Sequence, residues 1–120
     1  MIQNWKRQIA YKLNVNDIIS SKYVKSEGLN PNYLEINAKE VFRLNVIGVV
    51  VEKMGHGHHA AIIIDDGTSK ISSRSFENSL IFDEINVGDI VLVIGKPREF
   101  SSEKYILAEI VKKIMKTRII

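Results

Sequence analysis

The chain has 120 residues, 45% apolar and 26% charged, with a formal net charge of +3, which fits a single soluble globular domain. It has no cysteine, which excludes disulfides and thiolate metal sites. No apolar run approaches the roughly 18 residues of a membrane span, so no membrane partner is expected.

The opening MIQNWKRQIAYKLNV has neither an uninterrupted apolar core nor a small-residue cleavage site, so no signal peptide is expected. The default location is then intracellular: cytoplasmic or nucleoid in a prokaryote. Residues 1–42 carry six basic and four acidic side chains, residues 43–100 six and eight, and residues 101–120 five and two. This distribution permits a polyanionic partner without demanding one. Individual arginines and lysines, rather than bulk charge, would have to meet it.

In chain order, RQIAYKL (7–13) reads as an added strand, and VNDIISS (15–21) as a short helix or turn with Asp17 near its start. GLNPNYLEIN (28–37) is turn-rich around Asn30 and Pro31, then extended. Residues 1–42 are too short and too poor in apolar residues to hold their own core, so they are expected to form an extension packed on a barrel built by the later strands. RLNVIGVVVEK (43–53) reads as a long first strand with a bend or bulge at Gly48. HAAIIID (59–65) is a second strand, DDGT (65–68) a tight turn, and SKISSRSF (69–76) a third strand. ENSLIF (77–82) suggests a short helix and INVGD (85–89) a glycine turn. DIVLVIGK (89–96) is a fourth strand ending near Pro97, FSSEK (100–104) a polar turn, and KYILAEIV (104–111) a fifth strand. The final EIVKKIMKTRII sets Ile110, Val111, Ile114 and Met115 among Lys112, Lys113, Lys116 and Arg118. It reads either as a basic amphipathic helix over 112–120, offering an apolar stripe to a partner, or as the end of the fifth strand.

Five strands in about 70 residues is the spacing of a small all-β barrel. A long, bent first strand can pair at both its ends. The expected architecture is therefore a five-stranded OB-fold barrel over 43–111, a partly open Greek key. An SH3-like barrel is the alternative.

The segment KMGHGHH (53–59) holds all three histidines, His56, His58 and His59. Three imidazoles could ligate a metal, but Gly55 and Gly57 make the segment floppy, and no cysteine or further histidine supports it. A hairpin tip explains the composition better, with His56 and His58 placed on a barrel rim to stack on bases or meet phosphates. No metal or other cofactor is expected. On the third strand, period-2 alternation puts Lys70, Ser72, Arg74 and Phe76 on one face, opposite Ile71, Ser73 and Ser75. An aromatic among cations is what a single-strand platform requires: bases stack on the ring and the cations meet phosphates. A core role is the competing reading for Phe76, as a loop anchor is for Phe100. Lys96, Arg98 and Lys104 flank the second loop and are further candidates for phosphate contact. Arg43 and Lys53 on the first strand are too, with simple surface solvation as the alternative. Asp65 and Asp66 look like paired carboxylates, but the following Gly67 and Thr68 make a turn the better reading. There is no phosphate loop, no nucleophile elbow and no credible acid–base pair, so no enzymatic activity is expected.

The succession VFRLNVIGVVVEK, AIIIDDGTSKISSRSFE and VGDIVLVIGKPREFSSEKYILAEIVKKI resembles the OB-fold of the middle subunit of replication protein A. Its archaeal versions and their associated OB-fold proteins are the most similar. The motifs are Asn45 to Gly48, Ile64 to Thr68, Arg74-Ser75-Phe76, Ile90 to Gly95, and Phe100. NVNDIISSKYV resembles the family's lead-in to the barrel. The resemblance implies binding of single-stranded DNA, and other replication protein A-type subunits as partners in replication, repair or recombination. It also implies that Phe76 and Phe100 are stacking aromatics and that Arg74 is the accompanying cation. Phe76 stands where the family often has tryptophan, which implies weaker binding. The family usually continues into a longer helix that joins a three-subunit bundle. Two other readings stay open: a scaffold that mainly binds a partner protein through its C-terminal segment, and an RNA-binding OB-fold.

Overall fold

The computed structural model describes residues 9–56, 59–77 and 79–115. In order, the elements are β1 (Ala10–Lys12), α1 (Val15–Ser20), β2 (Lys22–Val24), β3 (Tyr33–Ile36), β4 (Lys39–Val41), β5 (Arg43–His56), β6 (His59–Asp65), β7 (Lys70–Ser75), a 3-10 turn (Ser79–Phe82), β8 (Ile90–Phe100) and β9 (Glu103–Met115). Among the described residues, no helix is long and apolar enough to cross a membrane.

Five strands close a ring. β5 pairs antiparallel with β8 through residues 44–49 and with β6 through residues 49–56. β6 pairs with β7, β7 runs parallel to β9, and β9 returns antiparallel along β8. This is the expected five-stranded barrel. Alternation fills it: Ala60, Ile62 and Ile64 of β6, Ile71 of β7, and Val91 and Val93 of β8 all point inward and are buried. The barrel's plug is Phe82 from the 3-10 turn, which is 1% exposed.

Two glycines mark close approaches of backbone. A Cβ on Gly48 would lie 3.0 Å from the carbonyl oxygen of Asp65, where β5 passes from β8 to β6. The bulge expected at this glycine falls later, between Val50 and Glu52. A Cβ on Gly95 would collide with the Leu107 carbonyl oxygen and lie 2.9 Å from Ile106 Cγ2. Here the register of β8 and β9 slips, from Ile94 opposite Ile110 to Gly95 opposite Ala108.

The fourth strand does not end at Pro97. β8 runs on to Phe100, and Pro97 pairs in register with Ile106. Beyond Gly95, β8 has no further register with β5, so a residue lacking its N–H is tolerated at this edge. Ser101 and Ser102 then turn the chain with φ of 51° and 65°, the left-handed pair of a type I′ hairpin. The C-terminal segment is also strand as far as Met115, pairing with the start of β8, and not a helix. Its apolar spacing fits a 3.6-residue period, but the open ladder of β8 supplies the partner that makes it a strand. Residues 116–120 lie outside the described residues.

The N-terminal residues share the barrel's core. β1 runs parallel to β5, with Ala10 opposite Arg43 and Lys12 opposite Asn45. β2, β3 and β4 form a separate three-stranded sheet. Val15 and Ile18 of α1, Leu34 of β3 and Val41 of β4 belong to one hydrophobic cluster with the barrel residues. The Asn14 side chain caps α1 by accepting from the Asp17 N–H. Asp66, in the β6–β7 turn, accepts the Val15 N–H at 2.8 Å, so the turn that joins two barrel strands also fixes the helix.

Candidate nucleic-acid interface

The outer face of β6, β7 and β9 is set by alternation and register. Ala61 lies opposite Arg74, and Ile63 opposite Ser72. The parallel pairing then brings Ser72 to Tyr105 and Arg74 to Leu107. On β8, Arg98 faces Tyr105 and Lys96 faces Leu107. Two rows cross four strands: Ile63–Ser72–Tyr105–Arg98 and Ala61–Arg74–Leu107–Lys96. Lys70, Ser72 and Arg74 share this face as the alternation of β7 requires.

An aromatic cluster sits at one end. Phe76, just beyond β7, is 41% exposed, so it is not the barrel plug. Its ring lies edge-to-face with His59 at 5.6 Å and with Tyr105 at 6.3 Å between centroids. The Arg74 guanidinium lies 4.3 Å from the Tyr105 ring centroid, a cation–π contact. Such contacts fix the ring planes while Phe76 stays open to a stacking partner. Tyr105 and His59 were not among the sequence candidates for this face. The alternation of β6 would have placed His59. Tyr105 depends on the parallel pairing of β7 with β9, which no local pattern records. A hollow of about 120 Å³ beside Phe76 is bounded by Met54, His59 and Ala61. A groove of about 470 Å³ runs between α1 and the β8–β9 hairpin, past Ile19, Ile63, Lys70 and Ser72.

The cations divide into engaged and open. Arg74 donates from Nη2 to Glu103 at 2.6 Å and from Nε to Ser72 Oγ at 3.0 Å. Arg43 pairs with Glu109 at 2.9 Å. Lys104, its side chain 14% exposed, donates to the Ile19 carbonyl at 3.1 Å and lies 3.7 Å from Glu99. It ties the hairpin to α1. Lys53 donates to the Ile85 carbonyl at 3.0 Å, and its register partner is the inward-pointing Ile62, so it lies away from the aromatic cluster. Lys70, Lys96 and Arg98 have no carboxylate partner among the described residues; Arg98 donates from Nη1 to the neighbouring Pro97 carbonyl at 2.8 Å.

Phe100 is 71% exposed at the hairpin tip, not packed as a loop anchor, and stands opposite Glu103 in register. His56 is opposite His59 at the end of the β5–β6 hairpin, the hairpin expected from the glycines. His58 lies outside the described residues. Of the proposed partner stripe, Ile110 and Ile114 face outward, whereas Val111 packs against the barrel core. Strand geometry separates Val111 from its neighbours, where a helix would have grouped them. Met115 ends β9.

Known proteins share this architecture. One chain of a replication protein A heterotrimer bound to single-stranded DNA superposes with a TM-score of 0.76 and 17% identity, over 90% of this chain and 83% of that one. The Schizosaccharomyces pombe Stn1–Ten1 complex gives a TM-score of 0.72 and 14% identity, over 92% and 81%. Yeast replication protein A bound to single-stranded DNA gives 0.70 and 24%, over 95% and 83%. The resemblance seen in the sequence motifs thus extends to the fold. In sequence, an uncharacterised protein of Methanocaldococcus jannaschii is 34% identical over 107 residues, 89% of this chain and 42% of that protein. The chain therefore spans less than half the length of that relative. Residues 44–114, more than half of the chain, match the family described as the OB-fold nucleic acid binding domain of the tRNA-anticodon type. With its closed five-stranded ring and that match, the chain belongs to the family of OB-fold nucleic-acid-binding domains.

Proposed function

We propose that the chain binds single-stranded DNA on the outer face of β6, β7 and β9, as a subunit of a replication protein A-like assembly in DNA replication, repair or recombination. The observation that supports this most is the exposed Phe76 beside Tyr105 and Arg74, on the strand face through which OB-folds bind oligonucleotides. Bases stack on Phe76 and Tyr105, and Phe100 closes on the strand from the hairpin tip. Lys70, Lys96 and Arg98 meet phosphates directly. Arg74 joins them only when Glu103 exchanges its place for a phosphate.

Three cations free of a carboxylate partner among the described residues imply modest affinity. With about 0.7 logarithmic units per phosphate for a single strand, three contacts give a salt slope near −2. Fluorescence anisotropy of a labelled single strand, titrated at several salt concentrations, tests this. Saturable binding with a slope near −2 supports the reading, and absence of binding at low salt contradicts it. Matched DNA and RNA strands in competition distinguish the two nucleic acids, because stacking alone is base-tolerant.

A scaffold role is the second reading. It is favoured by Arg43, Arg74 and Lys104 each being held by a glutamate of the β8–β9 hairpin. It expects partner binding that survives loss of Phe76 and Phe100.

A further inference from the structure

Across the ring from β7, the outer face of β5 and β8, continued by residues 110–114 of β9, is apolar. Ile47 faces Leu92 and Val49 faces Ile90 on the β5–β8 ladder. Ile94 faces Ile110, and Lys112 lies beside Leu92, on the β8–β9 ladder. Ile47, Val49 and Val51 are each about 40% exposed and Ile110 is 47% exposed. An apolar sheet face of this breadth on a soluble domain marks an interaction surface.

Its two margins carry opposite charge. On the β6 side, a hollow of about 440 Å³ has a floor of Ile47, Val49, Val51 and Ile90 and a rim at Asp65 and Asp66. Hydrogen bonds within their turn and to α1 hold both carboxylates, and neither meets a lysine or arginine among the described residues. On the β9 side, Lys112 stands between Ile110 and Ile114, exposed and without a carboxylate partner among the described residues. An aliphatic stem ending in a cation is the shape and charge that an apolar hollow with an acidic rim accepts.

We infer that this face pairs with the same face of a second copy of the chain. A two-fold axis parallel to the strands, between β5 and β8, sets β8 of one copy over β5 of the other and β9 over β6. Lys112 lies in the row of Leu92 and Ile47, so the same operation brings it to the hollow at the Asp65–Asp66 turn of the other copy. The charge contact forms twice, as an isologous interface requires, and the aliphatic faces meet as in a sheet-on-sheet packing. β7 lies opposite this interface in the ring, so both proposed DNA faces point outward. The pairing does not rest on the DNA reading. If both hold, one strand can engage two sites, with avidity set by the spacing between them.

Analytical ultracentrifugation of the purified chain up to about 100 µM, enough to populate a micromolar dimer, tests the inference. The expected result is a species of twice the 13.6 kDa chain mass that dissociates on dilution. Lys112→Glu is expected to weaken it about tenfold, and Asp65→Lys in the same chain to restore it, a rescue that a misfolded variant cannot give. Ile110→Glu is expected to leave a monomer with an unchanged circular dichroism spectrum. A monomer throughout this range overturns the inference and leaves the face to a different subunit. So does a dimer that neither Lys112→Glu nor Ile110→Glu weakens.

Discussion

Arg74 lies between two demands. Its guanidinium is laid on Tyr105, where a base or phosphate would meet it, yet its charge is taken up by Glu103. Replacing Glu103 by Gln keeps the shape and removes the competing charge. Affinity for single-stranded DNA is then expected to rise, and the salt slope to steepen by about 0.7 for the one added phosphate contact. Anisotropy at two salt concentrations checks this, and an unchanged slope argues that Arg74 never reaches the strand. Inside the barrel, Ser73 is fully buried and its hydroxyl finds no hydrogen-bond partner among the described residues. Ser73→Ala is expected to stabilise the fold by about 1 kcal/mol, read from a urea unfolding midpoint. The β7 alternation alone showed that Arg74 faces out and Ser73 faces in. Glu103 and Tyr105 could not be placed the same way, because 29 residues separate Arg74 from Glu103 and only the parallel pairing unites them.

Among the elements, the β8–β9 hairpin is tightly constrained at Gly95. Gly95 accepts no side chain because the Leu107 carbonyl, part of a paired strand, cannot withdraw. Gly95→Ala is expected to cost about 2 kcal/mol by overpacking, measurable as a lowered denaturation midpoint. The glycine itself was readable as a motif position; its reason is a close approach visible only once β8 and β9 are paired. The helix–turn junction makes a pH prediction. Partial burial pushes the Asp66 carboxyl up, but the Thr68 hydroxyl and the N–H groups of Val15, Thr68 and Ser69 outweigh it and hold its pKa below the ordinary aspartate value. A lowered folded-state pKa means that stability is fully present above the unfolded value and lost as pH falls through the folded one. The stability advantage of the native chain over Asp66→Asn is therefore expected to persist at neutral pH and to shrink as pH falls below about 4. Denaturant titrations at pH 7 and pH 3 check it, and an equal gap at both contradicts it. The C-terminal segment was the least legible element. Its apolar spacing follows a helical period, and the strand is imposed by pairing with β8 rather than by the segment's own pattern.

At the scale of the molecule, strand spacing and the long first strand pointed to the OB ring, and the ring places β7 across from the β5–β8 pair. That opposition separates an aromatic and cationic face from an apolar one. What the linear sequence could not express was which cations stay open, since hairpin glutamates engage Arg43, Arg74 and Lys104. Lys53, a candidate by sequence, is spent on carbonyls away from the aromatic cluster and serves as an internal control. The most direct test of the DNA face is one anisotropy series at low salt with the native chain, Phe76→Ala, Tyr105→Ala and Lys53→Ala. Each aromatic loss is expected to weaken binding roughly 5- to 150-fold, the worth of one stacked base, while Lys53→Ala leaves it nearly unchanged. Equal affinities for the native chain and both aromatic variants, with their folds intact, would contradict the assignment of this face.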